Sequence, residues 1–390
     1  MAKIKIIRVP FFYTLITVLS LFPACQNFNA GSRNQKLSNV NDEAFSQSNS
    51  TIKYAKWFNI EKKGDVSIVK IFEPGNGRKA RETYYVLNDR RSVLDSIEPK
   101  FQFHSPLDSI AVFSATQLNA LDKLGLLDKV IGVSEAAYIQ NGHVRERYRQ
   151  GLVAELAGNG SFYVEKALQV NPSVIFYSPY NTNESHPLAS TKIPMVSYLD
   201  FMEESPLGRA EWIKFTAVFF GKEKLADSLF DLVEEQYNGY KEIALLAKEK
   251  PTIFSDKYFN GQWFVPGGQS YVAMLFADAN ADYVWKDTPQ SGSFPLDFEV
   301  VYDKAGNADF WRIIGSYNEK PGYKYLAQEN ELYTHFKAFQ EHHVIFCDAQ
   351  NTAYFENSPL EPQIVLADLI KAFHPELLPG YQPVYYKVLR

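Results

Sequence analysis

The sequence predicts an α/β protein of two lobes with mainly parallel sheets, joined by one long backbone helix and preceded by a small β segment. Two observations carry this. Residues 222–248 (KEKLADSLFDLVEEQYNGYKEIALLAK) form a single amphipathic run, and the chain on either side repeats short apolar strands alternating with helices. Within the run, Leu225, Leu229, Leu232, Val233, Tyr237, Tyr240, Ile243, Ala244 and Ala247 keep three-and-four spacing, which predicts one buried face. Gly221 before it and Pro251 after it are stop signals, and at about 1.5 Å per residue the run is long enough to cross a small domain.

The N-terminus reads as a targeting segment. Lys3, Lys5 and Arg8 precede an apolar core, FFYTLITVLSLF, that is too short for a retained membrane span. Ala24-Cys25 follows at once. Residues 1–24 are therefore read as a lipoprotein signal peptide with Cys25 as the lipidated residue, although Phe22 and Pro23 depart from the residues usual before such a cleavage point. Residues 25–52, rich in Asn, Ser and Gln, read as a flexible tether. These features predict a lipid-anchored protein on the periplasmic face of a bacterial envelope. The remaining cysteine, Cys347, lies in the apolar run HVIFCDA and reads as a small buried hydrophobe.

Composition narrows the function. A net charge of −5 without a basic cluster argues against nucleic acid. Aromatic residues make up 15 % of the chain, as suits a cleft for a large, partly apolar ligand.

Along the body, residues 53–107 form a β-rich segment in which VSIVKIF and RETYYVL flank a turn at Pro74-Gly75-Asn76-Gly77. Residues 108–207 form the first lobe, with strands IAVFS, VIGVS, SVIFYSP and PMVSY and helices TQLNALDKLG, which Thr116 can cap, and YVEKALQVNP. Residues 208–250 are the interlobe helical region. Residues 251–390 repeat the grammar: strand TIFSD, a helix opened by Gly267-Gly268, a strand at 282–285, a helix at 297–304, a strand at 310–315, a helix at 330–340, strand HVIFCDA and a helix at 359–373. Both lobes are read as Rossmann-like.

Three segments carry a resemblance. In the first lobe YVEKALQVNPSVI (163–175) places Glu in a helix and Pro before a strand. In the second, GSFPLDFE (292–299) leads to Lys304-Ala305 and then Ala308-Asp309-Phe310-Trp311, and GQWFVPGGQSY (261–271) precedes both. In this order around one long helix they resemble the periplasmic substrate-binding proteins of iron-complex and cobalamin ABC importers, from about Ser109 to the C-terminus. The resemblance implies a monomeric receptor that hands a metal chelate to ABC permease subunits. A ferric siderophore is the first expectation, with haem or cobalamin as alternatives. It also implies that an exposed glutamate on each lobe, Glu165 and Glu299, docks onto permease arginines. Two separated acidic knobs on a rigid body set orientation and speed encounter, though each alone contributes little.

Open parallel sheets bind ligands beyond the carboxyl ends of their strands. The loops expected there carry Ser114, Ala115, Thr116, Ser134, Glu135, Tyr138, Ser178, Tyr180 and Asn181 from the first lobe, and Lys257, Tyr258, Trp263, Ser291, Phe294, Tyr317 and Tyr354 from the second. No histidine pair has zinc-helix spacing, so a chelate that brings its own ligands fits better than a bare ion, and no intrinsic cofactor is expected. His143 and His186 are the candidates for an axial ligand to a haem or corrinoid. The competing classes are an exported α/β hydrolase and a lipoprotein that only binds other surface proteins. The chain has neither G-x-S-x-G nor a Walker sequence, and Gly267-Gly268-Gln269-Ser270 reads as a helix start rather than an anion loop. An enzyme is not expected.

Overall fold

Alternating apolar residues after Trp57 build an N-terminal sheet of β1 (Phe58–Lys63), β2 (Val66–Phe72), β3 (Ala80–Leu87) and β4 (Gln102–His104), ordered as numbered. The pairs are antiparallel except β3 with β4. Phe58, Ile60, Val69, Ile71, Tyr84 and Val86 feed the core of the first lobe. The computed structural model describes residues 52–72, 79–89, 92–158, 161–179, 186–316 and 322–390. The signal peptide, Cys25, the tether up to residue 51, the turn at 74–77, Tyr180, Asn181 and Tyr317 lie outside the described residues.

The first lobe contains β5 (Ile110–Val112), α1 (Leu118–Lys123), β6 (Val130–Val133), α2 (Gly142–Arg149), β7 (Ala154–Glu155), β8 (Ala157–Gly158), β9 (Ser161–Phe162), α3 (Val164–Val170), β10 (Ile175–Tyr177) and β11 (Met195–Ser197). Its sheet is parallel in the order β11-β10-β5-β6-β7. The strands are short continuous apolar runs, as expected where helices cover both faces. The sequence reading omitted α2 and β7. Helix α2 is polar and buries only Val144, so it carries no apolar stripe to detect.

Between the lobes lie α4 (Pro206–Ala210), α5 (Trp212–Val218) and α6 (Glu223–Ala244). The long helix buries Ala226, Phe230, Tyr237 and Ala244. Tyr237 and Ala244 of the predicted face are buried and Leu229, Val233 and Tyr240 pack against the cores, whereas Leu225 and Leu232 are exposed, which corrects that part of the face, and Ala226 and Phe230 are buried instead. Ala226 and Phe230 belong to the first lobe's core, Tyr237 and Ala244 to the second lobe's, and Val233 packs against both. One helix is therefore anchored in two separate cores.

An N-terminal strap crosses this region. The backbone N–H groups of Lys53, Tyr54 and Ala55 donate to the Glu211 carboxylate at 2.7–3.1 Å, and those of Lys56 and Trp57 to Glu203 at 3.0–3.2 Å. Tyr54 also donates to Glu234 of α6 at 2.6 Å. Both clamping carboxylates are buried. Burial pushes Glu203 up to about 7, although the Lys56 and Trp57 amides and the Trp212 indole pull it down.

The second lobe contains β12 (Thr252–Ser255), β13 (Tyr258–Phe259), β14 (Gln262–Pro266), α7 (Tyr271–Asp278), β15 (Asp282–Tyr283), β16 (Ser293–Leu296), α8 (Phe298–Ala305), β17 (Phe310–Gly315), α9 (Tyr323–Glu329), α10 (Lys337–Gln340), β18 (Val344–Asp348), α11 (Tyr354–Asn357), α12 (Pro362–Phe373) and β19 (Tyr386–Val388). The main sheet runs β15-β12-β17-β18-β19, parallel except for β19 on β18. A separate antiparallel sheet, β13-β14-β16, lies beside it. The helix expected at 330–340 is broken: Glu331–His335 is a 3₁₀ turn, and Phe336 is extended at ψ 134° before α10. Phe336 is wholly buried against Phe254, Trp263 and Trp311, and the extended backbone delivers its ring there.

Candidate functional site

The carboxyl ends of β5 and β10 bring an aromatic group together. Phe113, just after β5, stacks on Phe162 of β9 at 5.7 Å. His186 packs on Phe162 at 4.2 Å, on Tyr177 at 5.3 Å and on Phe113 at 5.8 Å. All four rings are partly exposed. The Leu188 backbone N–H donates to His186 Nδ1 at 3.2 Å, so the neutral ring carries its proton on Nε2. Burial lowers the His186 pKa from its ordinary value, which keeps that neutral form at pH 7. A ring with Nε2–H is a hydrogen-bond donor. It offers no free lone pair to a metal, which corrects its assignment as an axial ligand. His143 is likewise engaged elsewhere: its Nε2 lies 2.8 Å from Asp128 Oδ1 on the surface.

The other first-lobe candidates lie around this group. Ser114 and Thr116 are hydroxyl partners at 2.9 Å, and both are partly exposed at the end of β5. Ser134, Glu135 and Ser178 are partly exposed at the ends of β6 and β10, and Tyr138 is 71 % exposed. Phe113, Phe162 and Tyr177 were missed by the sequence reading. Phe113 and Tyr177 each sit one residue before a nominated strand end, and Phe162 belongs to a two-residue hairpin strand that leaves no periodic signal.

The second-lobe candidates divide. Trp263 is fully buried, and its indole N–H donates to the Ser255 carbonyl at 2.9 Å. It packs with Phe254, Phe298, Trp311, Tyr333 and Phe336, so it is a core residue and its assignment to the cleft is corrected. The cause is β14: alternation turns Trp263 and Val265 inward and Phe264 outward. Tyr354 is corrected too. It is buried at the start of α11, with its hydroxyl 3.1 Å from that of Tyr386. Lys257 is ion-paired with Glu329, and Tyr258, partly exposed, donates its N–H to the Tyr333 hydroxyl at 3.1 Å. Phe294 on β16 is partly exposed and Ser291 exposed.

Polar contacts join the two lobes around α11. Asn119 of α1 donates to the Asn357 carbonyl at 2.9 Å, Gln140 to that of Ala349 at 3.2 Å, and Lys123 pairs with Glu361 at 2.8 Å. Arg209 of α4 lies 5.1 Å over the Tyr271 ring of α7.

Glu165 and Glu299 occupy matching places. Each is exposed in the first turn of a helix, α3 or α8, that leads into a strand of its own lobe's sheet, β10 or β17.

The anion-loop reading of Gly267-Gly268 fails on hydrogen bonds. The Gly267 N–H donates to Gly292, that of Gly268 to the Thr288 hydroxyl, and that of Gln269 to Gln290, at 2.8–3.0 Å. A Cβ on Gly267 would lie 2.0 Å from the Gln290 carbonyl, so glycine here admits a close backbone rather than a ligand. Burial pushes the Cys347 thiol up to about 12, so it stays protonated and unreactive. Among the described residues no cluster of His, Cys, Asp and Glu is placed to hold a metal ion, and no helix is long and apolar enough to cross a membrane.

The periplasmic binding protein family model matches residues 110–351. This chain belongs to that family. Its members are solute-binding proteins rather than enzymes. Among curated relatives, an uncharacterized lipoprotein of Methanocaldococcus jannaschii, MJ0878, is 27 % identical over 293 residues, covering 72 % of this chain and 68 % of the relative. Among solved structures, the haem-binding protein RhuT of Roseiflexus aligns with a TM-score of 0.55 and 18 % identity, over 70 % of this chain and 99 % of that one. The siderophore-binding protein BauB, solved with acinetobactin and ferric iron, aligns at 0.52 and 19 %, over 69 % and 93 %. The vitamin B12-binding protein BtuF of Vibrio cholerae aligns at 0.51 and 12 %, over 68 % and 96 %. At these identities the likeness establishes the shared two-lobed fold. The N-terminal sheet, β1 to β4, precedes the matched residues.

Proposed function

We propose that this chain is the substrate-binding component of an ABC importer and captures a metal chelate between its lobes, with a ferric siderophore as first choice and haem or a corrinoid next. The carrying observation is the ring group of Phe113, Phe162, Tyr177 and His186 at the carboxyl ends of first-lobe strands. Ring faces favour a large planar or aromatic ligand, and the His186 Nε2–H favours an acceptor at its edge. A histidine fixed as a donor supports a metal that arrives with its own ligands. The solved relatives that bind haem, a ferric siderophore or vitamin B12 support the same ligand class.

Two further readings belong to this proposal. Glu165 and Glu299 are the permease contacts, supported by their exposure and matching positions. Cys25 carries the lipid that holds a monomeric receptor in the envelope, supported by relatives described as lipoproteins.

The test is calorimetric titration of the purified full chain with haemin, cyanocobalamin and the ferric complexes of a catecholate and a hydroxamate siderophore. One class binds at one-to-one stoichiometry and is recovered chemically unchanged. Heats indistinguishable from dilution for every chelate would sink the proposal.

A further inference from the structure

The cations beside the strand ends are already matched by carboxylates. Arg81 Nε lies 3.5 Å from Glu82 Oε1, and Glu82 accepts a hydrogen bond from Ser197, the last residue of β11, at 2.9 Å. Arg209 Nε lies 3.3 Å from Asp200, which is buried just beyond β11. Arg312 Nη1 lies 3.2 Å from Asp256, the residue after β12, and Lys257 pairs with Glu329.

Other carboxylates at these ends have no such match. Glu135 follows β6, Glu155 ends β7 and Asp348 ends β18, and all are partly exposed. Glu155 accepts the Ala136 N–H at 2.8 Å, and Asp348 accepts the backbone and side-chain N–H groups of Asn351 at 3.2 and 2.7 Å. Those donors are neutral. Among the described residues none of the three acids forms an ion pair. Segments 180–185 and 317–321, outside the described residues, hold two acids and one base by sequence.

An anionic chelate entering here would lose hydration and meet cations that are matched and carboxylates that are not. Like charges brought together in this way discriminate against a partner more strongly than they favour another.

We propose that the cleft selects a metal chelate without net negative charge, of the ferric tris-hydroxamate or corrinoid kind, and rejects ferric tris-catecholates and haem. This rests on the cleft reading above and narrows its ligand class. A tris-hydroxamate neutralises ferric iron, whereas a tris-catecholate leaves three negative charges and haem carries two propionates. Neutral chelates rich in carbonyl acceptors also suit the His186 Nε2–H.

The test is calorimetric titration of the full chain with ferrichrome, ferrioxamine B, cyanocobalamin, haemin and ferric enterobactin, at about 0.02 M and about 0.3 M salt. At low salt a neutral or cationic chelate binds about tenfold or more tighter than either anionic one. Ferric enterobactin, measured by displacing the bound chelate, gains affinity with salt, because screening removes repulsion. Glu155→Gln with Asp348→Asn keeps the acceptors of both hydrogen bonds and removes two charges. It shifts the affinity ratio about fivefold toward ferric enterobactin, the scale of two exposed charges, while the denaturant midpoint confirms folding. An unmoved ratio, or ferric enterobactin affinity that falls with salt, overturns the proposal. Tightest binding of haemin or ferric enterobactin overturns the charge selection and leaves the cleft reading standing. If no chelate binds, the cleft reading fails and the proposal is overturned with it.

Discussion

The two lobes end their central strands in opposite ways. At the first lobe's carboxyl edge, the rings of Phe113, Phe162, Tyr177 and His186 are left half-covered. In the second lobe, several aromatic residues of the same sequence character are enclosed. Trp263, Trp311 and Phe336 form one packed group, and Arg312 is buried with both Nε and Nη2 donating to the Tyr386 hydroxyl at 2.6–2.9 Å and Nη1 donating to Ser255 at 2.9 Å. Aromatic abundance therefore has two origins in one chain. Trp263, Trp311 and Phe336 build a core, whereas Phe113, Phe162, Tyr177 and His186 stay part-exposed at strand ends.

That contrast gives opposite outcomes for equivalent truncations. Trp263→Ala should lower unfolding free energy by about 3–5 kcal/mol, the cost of emptying a buried aromatic site, as read from the denaturant midpoint. Phe162→Ala should lower it by only about 1 kcal/mol, the scale of an aromatic pair at a part-exposed site. Chelate affinity should reverse the order, falling more for Phe162→Ala among the molecules that remain folded. Equal destabilisation by the two truncations would erase the distinction between core and surface rings.

A smaller effect sharpens the same comparison through pH. The His186 pKa is lowered by burial, so between its folded value and the ordinary value of 6.5 the unfolded chain binds the extra proton and the folded chain does not. Stability is thus unaffected by this group above about pH 6.5 and declines as pH falls below it. His186→Gln should flatten that part of the stability profile. A histidine titration by NMR with the His186 midpoint at or above 6.5 would contradict the half-buried, neutral ring.

The sequence made the architecture legible because the signals that specify it are local. Continuous apolar runs marked most strands of the two main sheets, though not β7 or β19, and the three-and-four pattern marked α6 even though Leu225 and Leu232 of its predicted face are exposed. Leucines mark hydrophobic periodicity strongly, yet Ala226 and Ala244 are the residues whose small size admits close packing there. The site was less legible. Choosing residues just beyond each strand led to Ser114, Ser134 and Ser178, which lie part-exposed at strand ends, but whether a ring points outward or into a core depends on the pleat of the strand carrying it. For Trp263 that strand pairs with β16, some thirty residues away, and nothing near position 263 announces the pairing. The contacts of Ser197 with Glu82 and Tyr177 are likewise a product of tertiary packing between residues far apart in sequence.

The smallest expected effect on binding concerns the two glutamates proposed to dock, where the lobes are alike rather than different. Glu165 and Glu299 are both exposed, each at the start of a helix rooted in its own lobe. Because α6 is anchored in both cores, the separation of the two carboxylates is set by a continuous helix. Bending that helix would strain its hydrogen bonds, so lobe rotation on ligand binding should be small. Glu165→Ala with Glu299→Ala should leave chelate affinity within about twofold, since exposed, solvent-screened charges contribute little to binding. Uptake by cells carrying the matching permease should nevertheless fall steeply, because steering and register depend on both knobs together. Normal uptake by the double variant would remove the docking role from these two residues while leaving the cleft untouched.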